Sequence, residues 1–298
     1  MKLYYCDDYT ASSKAFETTR KASHIAQSIA DSPIPHVEIL SPTSLSEEDL
    51  HCVHAGAYIQ AIKSGIPTAL AGSNDLEWNT QLWQMVCASN GGMVEAAINS
   101  YRNKVNSGSL SSGLHHAYPN NGAGYCTFNG LAIAAIKAYE AGARAVLILD
   151  FDAHCGGGTY ACIKNLDYIT HADLSVCDYD HYQTDTPHIN QIISNAEEYL
   201  PAVQALLNHL SNRSFDLCIY NAGMDPYEKC REDGLSGITA ATLKQREDMV
   251  FSWCADNKIP AAFAIAGGYL PKDADLEKDM AELTDLHRLT IQAAAAYN

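Results

Sequence analysis

The sequence predicts an α/β fold of three layers, in which helices cover both faces of a central, mostly parallel sheet. The first observation is a set of short apolar runs rich in branched residues, such as residues 145–149 and 215–220, which is typical of buried strands. The second is that segments with helical spacing alternate with these runs from residue 129 onward. In sheets of this kind ligands bind beyond the carboxyl ends of the strands, so the fold class also predicts where a site lies.

The individual elements are predicted from apolar spacing and helix-start signals. Strands are expected at residues 2–6, 36–40, 145–150, 168–177, 215–221 and 260–266. Helices are expected at residues 17–30, 76–102, 129–141, 159–164, 195–210, 240–257 and 276–296, with another helix start at Ser46, which three acidic residues follow. We find no internal repeat, low-complexity tract or linker, so residues 1–298 are predicted to form a single domain.

Composition restricts the function classes. The chain has 19 basic and 35 acidic side chains and a formal net charge of −16, which repels nucleic-acid phosphates and mildly favours cationic substrates. Its ten cysteines lack paired short spacings, its N-terminus lacks the apolar core of a signal peptide, and no apolar stretch reaches the roughly 18 residues of a membrane span. We therefore expect a cytoplasmic protein with free thiols that binds neither nucleic acid nor membrane.

Unusual polar residues follow three of the predicted strands. They stand at residues 150–154 (Asp-Phe-Asp-Ala-His), 221–225 (Asn-Ala-Gly-Met-Asp) and 266–269 (Ala-Gly-Gly-Tyr). A long glycine-rich loop, residues 106–126, carries His115 and His116 and precedes the helix that leads into the first of these strands. Loops longer than about 12–15 residues are usually functional or disordered. We expect all four segments to meet at one edge of the sheet.

The run after residue 149 predicts a metal site. In an extended chain, side chains two residues apart point to the same side, so those of Asp150, Asp152 and His154 can project together. Two carboxylates and an imidazole that converge on one point suit a divalent cation.

Five ordered motifs resemble the histone deacetylase superfamily, which includes the acetylpolyamine amidohydrolases and has the arginase-deacetylase type of α/β fold. The motifs are residues 113–117 (Gly-Leu-His-His-Ala), 124–126 (Gly-Tyr-Cys), 150–159, 222–226 (Ala-Gly-Met-Asp-Pro) and 267–269 (Gly-Gly-Tyr). The resemblance spans roughly residues 49–266 and implies a deacetylase domain.

The resemblance also implies a role for each matching residue. Asp152, His154 and Asp225 would hold one catalytic zinc ion and leave positions open for water and a substrate carbonyl, although such a set also accepts Fe²⁺. His115 and His116 would handle protons, with His116 as the main general base. A further residue, Tyr269, would donate a hydrogen bond to the developing oxyanion.

Other residues are implied in supporting roles. A structural potassium ion would be bound by the side chain of Asp150, the hydroxyl of Ser175, the carbonyl of Val176 and backbone carbonyls of residues 150, 152 and 154. Asp150 would also orient His115. The substrate channel would be formed by Gly124, Tyr125, Gly267 and Gly268.

The chain departs from the family pattern directly after His154. Where the family usually has His-Gly followed by Asp or Asn, this sequence has Cys155, Gly156 and Gly157. The Asp or Asn normally accepts a hydrogen bond from the second tandem histidine. His116 is therefore expected to lose that partner unless water or another residue replaces it. Cys155 is interpreted as a packed thiol rather than a nucleophile.

The leading hypothesis is a zinc-dependent deacetylase that acts on an acetyl-lysine-type substrate. Acetylated polyamines or another small-molecule amide are the first alternative. A two-manganese, arginase-like hydrolase is disfavoured because its bridging ions need more carboxylates than the sequence offers. A catalytically weakened member that binds an acylated ligand is the third possibility, and Gly157 is the feature that favours it. The oligomeric state is not predicted.

Overall fold

All strands of the computed structural model belong to one eight-stranded sheet. The structure describes residues 1–12, 17–269 and 275–298. The strands are β1 (Lys2–Tyr4), β2 (Glu38–Leu40), β3 (Ser107–Ser109), β4 (Val146–Asp150), β5 (Ile169–Ser175), β6 (Ile189–Ile192), β7 (Leu217–Asn221) and β8 (Ala261–Ala264). Their order is β2-β1-β3-β8-β7-β4-β5-β6 and each neighbouring pair is parallel.

The helices flank this sheet. They are α1 (Glu17–Asp31), α2 (Glu47–Leu50), α3 (Gly56–Ser64), α4 (Thr68–Ala71), α5 (Leu82–Asn103), α6 (Gly130–Glu140), α7 (Gly157–Ile163), α8 (Ala196–Leu210), α9 (Ala240–Asp256) and α10 (Leu276–Ala296). A 3-10 helix spans Asp7–Thr10. In the described part of the chain, no helix combines the length and the apolar character needed to cross a membrane.

Side chains of the central strands feed two cores, one on each face of the sheet. In β4, Leu147 and Leu149 pack into the core that α1, α8, α9 and α10 cover, whereas Val146 and Ile148 pack into the core that α3, α5 and α6 cover. Successive side chains of a strand point to opposite faces, which explains this division. The three-layer α/β/α architecture predicted from the sequence is confirmed.

Several local predictions were wrong. The helix expected at residues 76–102 begins at Leu82. The loop expected at residues 106–126 contains β3, which has no apolar signal because it reads Ser-Gly-Ser. A Cβ atom at Gly108 would lie 2.1 Å from the ring of Phe263, so this strand needs a glycine to pair with β8. The elements β6, α3 and α4 were not predicted.

The parallel topology fixes the place of the candidate site. Asp150 ends β4, Asn221 ends β7 and Ala264 is the last residue of β8, and these three strands are adjacent. The polar segments that follow them therefore leave the same edge of the sheet side by side, as the sequence predicted.

Candidate metal centre and active site

Asp152, His154 and Asp225 form a buried cluster beyond the ends of β4 and β7, here called the metal centre. One ligand atom of each residue lies within 4.8 Å of those of the other two. Nδ1 of His154 lies 3.0 Å from Oδ1 of Asp152 and 3.3 Å from Oδ2 of Asp225. A single ion placed among these atoms would meet two carboxylates and one imidazole.

The surroundings of the metal centre favour positive charge. Oδ2 of Asp225 is buried and has no hydrogen-bond partner among the described residues. Burial and the charge of Asp152 raise the pKa of the Asp225 carboxyl. Burial lowers the pKa of His154, but Asp152 and Asp225 outweigh it and raise that pKa to about 12. Two buried carboxylates, one of which has an oxygen that makes no hydrogen bond with the described residues, are a suitable environment for a divalent metal ion.

The loop after β8 closes over the metal centre. Gly267 has φ of 53°, a conformation that glycine adopts without steric penalty. A Cβ atom there would lie 2.3 Å from Cγ of Asp225, so the backbone can lie against this carboxylate only at a glycine. Gly268, which the sequence predicts to form the substrate channel, instead packs toward Leu283 and His287 and borders neither the cavity nor the smaller chamber described below.

His115 and His116 lie side by side next to the metal centre, with ring centroids 3.9 Å apart. Nδ1 of His115 lies 3.0 Å from Oδ2 of Asp150, which places Asp150 where the sequence analysis expects an orienting carboxylate. Burial lowers the pKa of His115, but Asp152 and Asp150 raise it to about 10. Burial and then His115 lower the pKa of His116 to about 4, so the two histidines differ in charge.

His116 does have a carboxylate partner, and it comes from the loop after β5. Nδ1 of His116 lies 2.8 Å from Oδ2 of Asp180. Of the two possibilities left open at Gly157, the structure has the second, in which another residue replaces the missing Asp or Asn. The absence of a side chain at residue 157 was the one sequence signal that pointed to such a replacement.

A cavity of about 260 Å³ leads from the surface to the metal centre. Tyr125 and Tyr269 both line it, and their rings are in tilted contact with centroids 6.1 Å apart. Burial and then the charge of Asp225 raise the pKa of Tyr269 well above its usual range, so its phenol stays protonated. The lining residues are Asp75, His116, Gly124, Tyr125, His154, Tyr179, Glu232, Asp233 and Tyr269.

A second, smaller chamber of about 20 Å³ adjoins the same side chains. His116, Gly124, Tyr125 and Tyr269 border both spaces, and His115, Asp152 and Gly267 border the smaller one. A volume of this size holds about one water-sized group.

The residues named for potassium lie behind the metal centre. Asp150 accepts hydrogen bonds from Asn221 Nδ2 at 2.8 Å and from the Asp152 N–H at 3.2 Å. The Ser175 hydroxyl donates to Asp173 at 2.9 Å, and the Val176 N–H donates to the Ala153 carbonyl at 2.9 Å. Burial and then the charge of Asp150 raise the pKa of Asp173 to about 7.

Cys155 is fully buried next to the residues named for potassium. Its thiol lies 3.2 Å from the Ser175 hydroxyl, and burial raises its pKa to about 12. A thiol of this kind is not a nucleophile at neutral pH, which agrees with its interpretation as a packed side chain.

Besides Asp180, three residues near the site were missed by the sequence analysis. Lys21 of α1 is fully buried and donates to the Gly267 carbonyl, and burial lowers its pKa to about 7. Asp233 lies 3.2 Å from Nε2 of His154. Asn129, at the start of α6, donates to the His115 and Ala117 carbonyls at 3.3 and 3.0 Å. Lys21 and Asp233 act across a long sequence separation that no local pattern signals, whereas the predicted helix start at residue 129 signals Asn129 only as a cap.

Comparison with known proteins gives a consistent result. The histone deacetylase domain family matches residues 15–285. The chain is 29% identical over 262 residues to an uncharacterized protein of Picosynechococcus sp., covering 83% of this chain and 84% of that protein. It is 24% identical over 274 residues to histone deacetylase 2 of Arabidopsis thaliana, covering 85% of this chain and 69% of that protein.

Two further similarities are partial or structural. The acetoin utilization protein AcuC of Staphylococcus aureus is 32% identical over 158 residues, which is 49% of this chain and 39% of that protein. The crystal structure of the HDA15 HD domain superimposes with a TM-score of 0.80 at 20% identity, over 99% of this chain and 91% of that one. This last similarity supports the fold. Because the family match covers most of its length, the chain belongs to the histone deacetylase domain family.

Proposed function

We propose that the chain is a single-domain, zinc-dependent deacetylase that hydrolyses the N-acetyl amide of an acetyl-lysine-type substrate. The observation that carries the proposal is the convergence of the metal centre, His116 and Tyr269 on one cavity. A metal-ligand set, a proton acceptor and an oxyanion donor are the three parts that metal-assisted amide hydrolysis needs.

Asp152, His154 and Asp225 would hold the metal ion. When bound, the ion would polarise the acyl carbonyl and make a water molecule more acidic. Two carboxylates and one imidazole suit Zn²⁺ and also Fe²⁺, and we propose Zn²⁺ because three protein ligands that leave open positions are typical of catalytic zinc.

The tandem histidines have different roles. Because Nδ1 of His116 faces a carboxylate, its Nε2 is free to take a proton from the attacking water and to pass one to the departing amine. The low pKa of His116 keeps this acceptor unprotonated before reaction. His115, held by Asp150, stays positively charged beside it and stabilises the negative charge that develops.

Tyr269 donates a hydrogen bond to the carbonyl oxygen as negative charge develops on it. Its phenol is protonated and borders both the cavity and the smaller chamber. Preorganised donors of this kind contribute about 3–4 kcal/mol to the transition state. The smaller chamber, with room for one water-sized group, supports an acetyl group over longer acyl groups.

Acetylated polyamines are the second candidate substrate, and the charge of the cavity favours them. Asp75, Glu232 and Asp233 all line it. Arg231 pairs with Glu232 at 3.2 Å and Asp233 lies 3.2 Å from Nε2 of His154, which leaves Asp75 to attract a further cationic group of the substrate. The net charge of −16 adds to this attraction.

A catalytically weakened, ligand-binding member is no longer favoured. That reading depended on the loss of the His116 partner at Gly157, and Asp180 supplies a carboxylate there. A potassium ion held by Asp150, Ser175 and the Val176 carbonyl remains our proposal, supported by the neighbouring buried carboxyl groups of Asp150 and Asp173. A reducing, cytoplasmic location is proposed because all ten cysteines are free.

Acetate release from a panel of acetyl-lysine peptides and N-acetylated polyamines tests the proposal. Zinc-loaded protein is expected to hydrolyse at least one of these substrates, and His116→Ala is expected to abolish turnover. Asp75→Asn is expected to raise KM for an acetylpolyamine and leave KM for an uncharged, capped acetyl-lysine unchanged. Zinc-bound protein that turns over no member of the panel contradicts the proposed function.

A further inference from the structure

We infer that Asp180 is the positioning carboxylate of His116, and that Gly157 is the position that makes room for it. In this arrangement a carboxylate from the loop after β5 replaces a side chain that would otherwise project from the start of α7. The inference rests on the proposed function of His116 as a proton acceptor, and it names the residue that sets the tautomer of that imidazole.

The contacts of Asp180 fix both of its carboxylate oxygens. Oδ2 lies 2.8 Å from Nδ1 of His116 and accepts a second hydrogen bond from the Gly158 N–H at 3.1 Å. The Tyr118 hydroxyl donates to Oδ1. The side chains of His116 and Asp180 are only 5% and 9% exposed, so water competes little for these hydrogen bonds.

An ionised carboxylate can only accept hydrogen bonds, so the proton of neutral His116 lies on Nδ1. The hydrogen bond made by one ring nitrogen decides which nitrogen of a histidine is free. Nε2 therefore carries the lone pair, and the ring borders the cavity beside His154, with ring centroids 5.8 Å apart.

The space at residue 157 explains why glycine stands there. A Cβ atom at Gly157 would lie 2.4 Å from the Asp180 carbonyl oxygen and 2.6 Å from Oδ1 of the same residue. Real Cβ contacts are not this short, so a side chain at residue 157 and the carboxylate of Asp180 exclude each other in these positions. The glycine at residue 157 and the aspartate at residue 180 thus belong to one replacement. The carboxylate of the second residue fills the space that a side chain at the first would occupy.

The loop after β5 is held where the carboxylate is needed. The Cys155 N–H donates to the Tyr179 carbonyl at 3.0 Å, and the Cys177 N–H donates to the Ala153 carbonyl at 2.8 Å. The Tyr179 ring packs edge-on against His116 at 4.9 Å. Asp180 itself has φ of 60°, which non-glycine residues adopt seldom and aspartate more readily than most.

Four single variants test the inference, together with nitrogen-detected NMR of His116 and steady-state kinetics. Asp180→Ala removes the carboxylate, whereas Asp180→Asn keeps an acceptor for Nδ1. Gly157→Ala leaves Asp180 in the chain but displaces its carboxylate with a methyl group. Tyr118→Phe is the matched control, because it removes another hydrogen bond of Asp180 without touching His116.

In the native protein, the spectra are expected to show His116 as the Nδ1-protonated tautomer. Asp180→Ala and Gly157→Ala are both expected to mix the tautomers and to lower kcat by roughly 10²-fold, the lower end of what a positioned base contributes. KM and zinc content should change little, whereas the melting temperature should fall because buried donors lose their acceptor. Asp180→Asn and Tyr118→Phe are expected to keep the native tautomer and most of kcat.

The inference is overturned if Asp180→Ala leaves the nitrogen shifts of His116 unchanged. It is also overturned if Tyr118→Phe is as damaging as Asp180→Ala, since the aspartate would then act only as a structural tie. The NMR spectra test the role of Asp180 even when no substrate is turned over. A failure of the proposed function therefore leaves this inference tested on its own.

Discussion

At the scale of single residues, burial and neighbouring charges decide which side chains of the site carry a proton. His115 and His116 are adjacent and both buried, yet carboxylates raise the pKa of the first to about 10 while the second falls to about 4. Tyr269 keeps its proton because its surroundings are buried and negative. The cavity is thus lined by a proton acceptor, His116, and by a hydrogen-bond donor, Tyr269.

Removal of the Tyr269 hydroxyl is expected to reduce kcat strongly. In Tyr269→Phe, the oxyanion would lose one preorganised donor, which typically lowers kcat by about 10²–10³-fold. Zinc content and melting temperature should stay at the native values, as measured by elemental analysis and thermal unfolding. A fall of less than about tenfold with zinc still bound would show that Tyr269 does not make the proposed contact.

The low pKa of His116 gives a pH prediction with a definite sign. A lowered pKa means that the imidazole stays neutral as the pH falls through about 6.5, where an unperturbed histidine takes up a proton. The ring nitrogen shifts of His116 are expected to be constant between pH 8 and pH 5.5. A titration of His116 in that interval, at constant zinc content, would contradict the environment described here.

At the scale of elements, sequence patterns predicted what the apolar runs control and missed what distant contacts control. The runs of β4, β7 and β8 located the strand ends and hence the metal centre, because burial on both faces demands continuous apolar residues. The strand β3 was missed because its Ser-Gly-Ser sequence has no apolar residue, and the Phe263 ring leaves room only for glycine at residue 108. Asp180 was missed because it lies in the loop after β5, 64 residues away in sequence from its partner His116.

The start of α6 ties three elements of the site together through one side chain. Asn129 is fully buried, and its Oδ1 accepts from the Ala132 N–H at 3.0 Å as the helix cap. Its Nδ2 donates to the backbone carbonyls of the histidine loop and to Thr159 Oγ1 of α7 at 3.1 Å.

Loss of the Asn129 side chain is therefore expected to destabilise the protein more than loss of an ordinary cap. In Asn129→Ala, the free energy of unfolding should fall by about 2–4 kcal/mol, because the cap and buried carbonyl partners are lost together. Asn195→Ala, which removes the exposed cap of α8, should cost about 1 kcal/mol in the same denaturant titration. Equal losses in the two variants would show that Asn129 is only a cap.

At the scale of the whole molecule, the parallel topology turns residues that are far apart in sequence into one site. The fold class followed from alternating strands and helices, and the sheet confirms it with eight parallel strands. The five motifs contain five of the nine residues that line the cavity, and Asp75, Tyr179, Glu232 and Asp233 lie outside them. The departure at Gly157 could be interpreted only with the loop after β5 in place. Backbone positions of loops are set by tertiary hydrogen bonds, which the local sequence does not encode.

The central claim is that a single metal ion in this centre drives the hydrolysis of an acetylated amine. The most direct test is a titration of metal-free protein with Zn²⁺ during which acetate release and bound zinc are measured together, with Asp225→Asn as the control. Acetate release should rise in proportion to bound zinc and reach its maximum at one ion per chain, and Asp225→Asn should bind little zinc and release no acetate. Acetate release that does not depend on zinc, that needs two ions per chain, or that is absent when the centre is filled would contradict this claim.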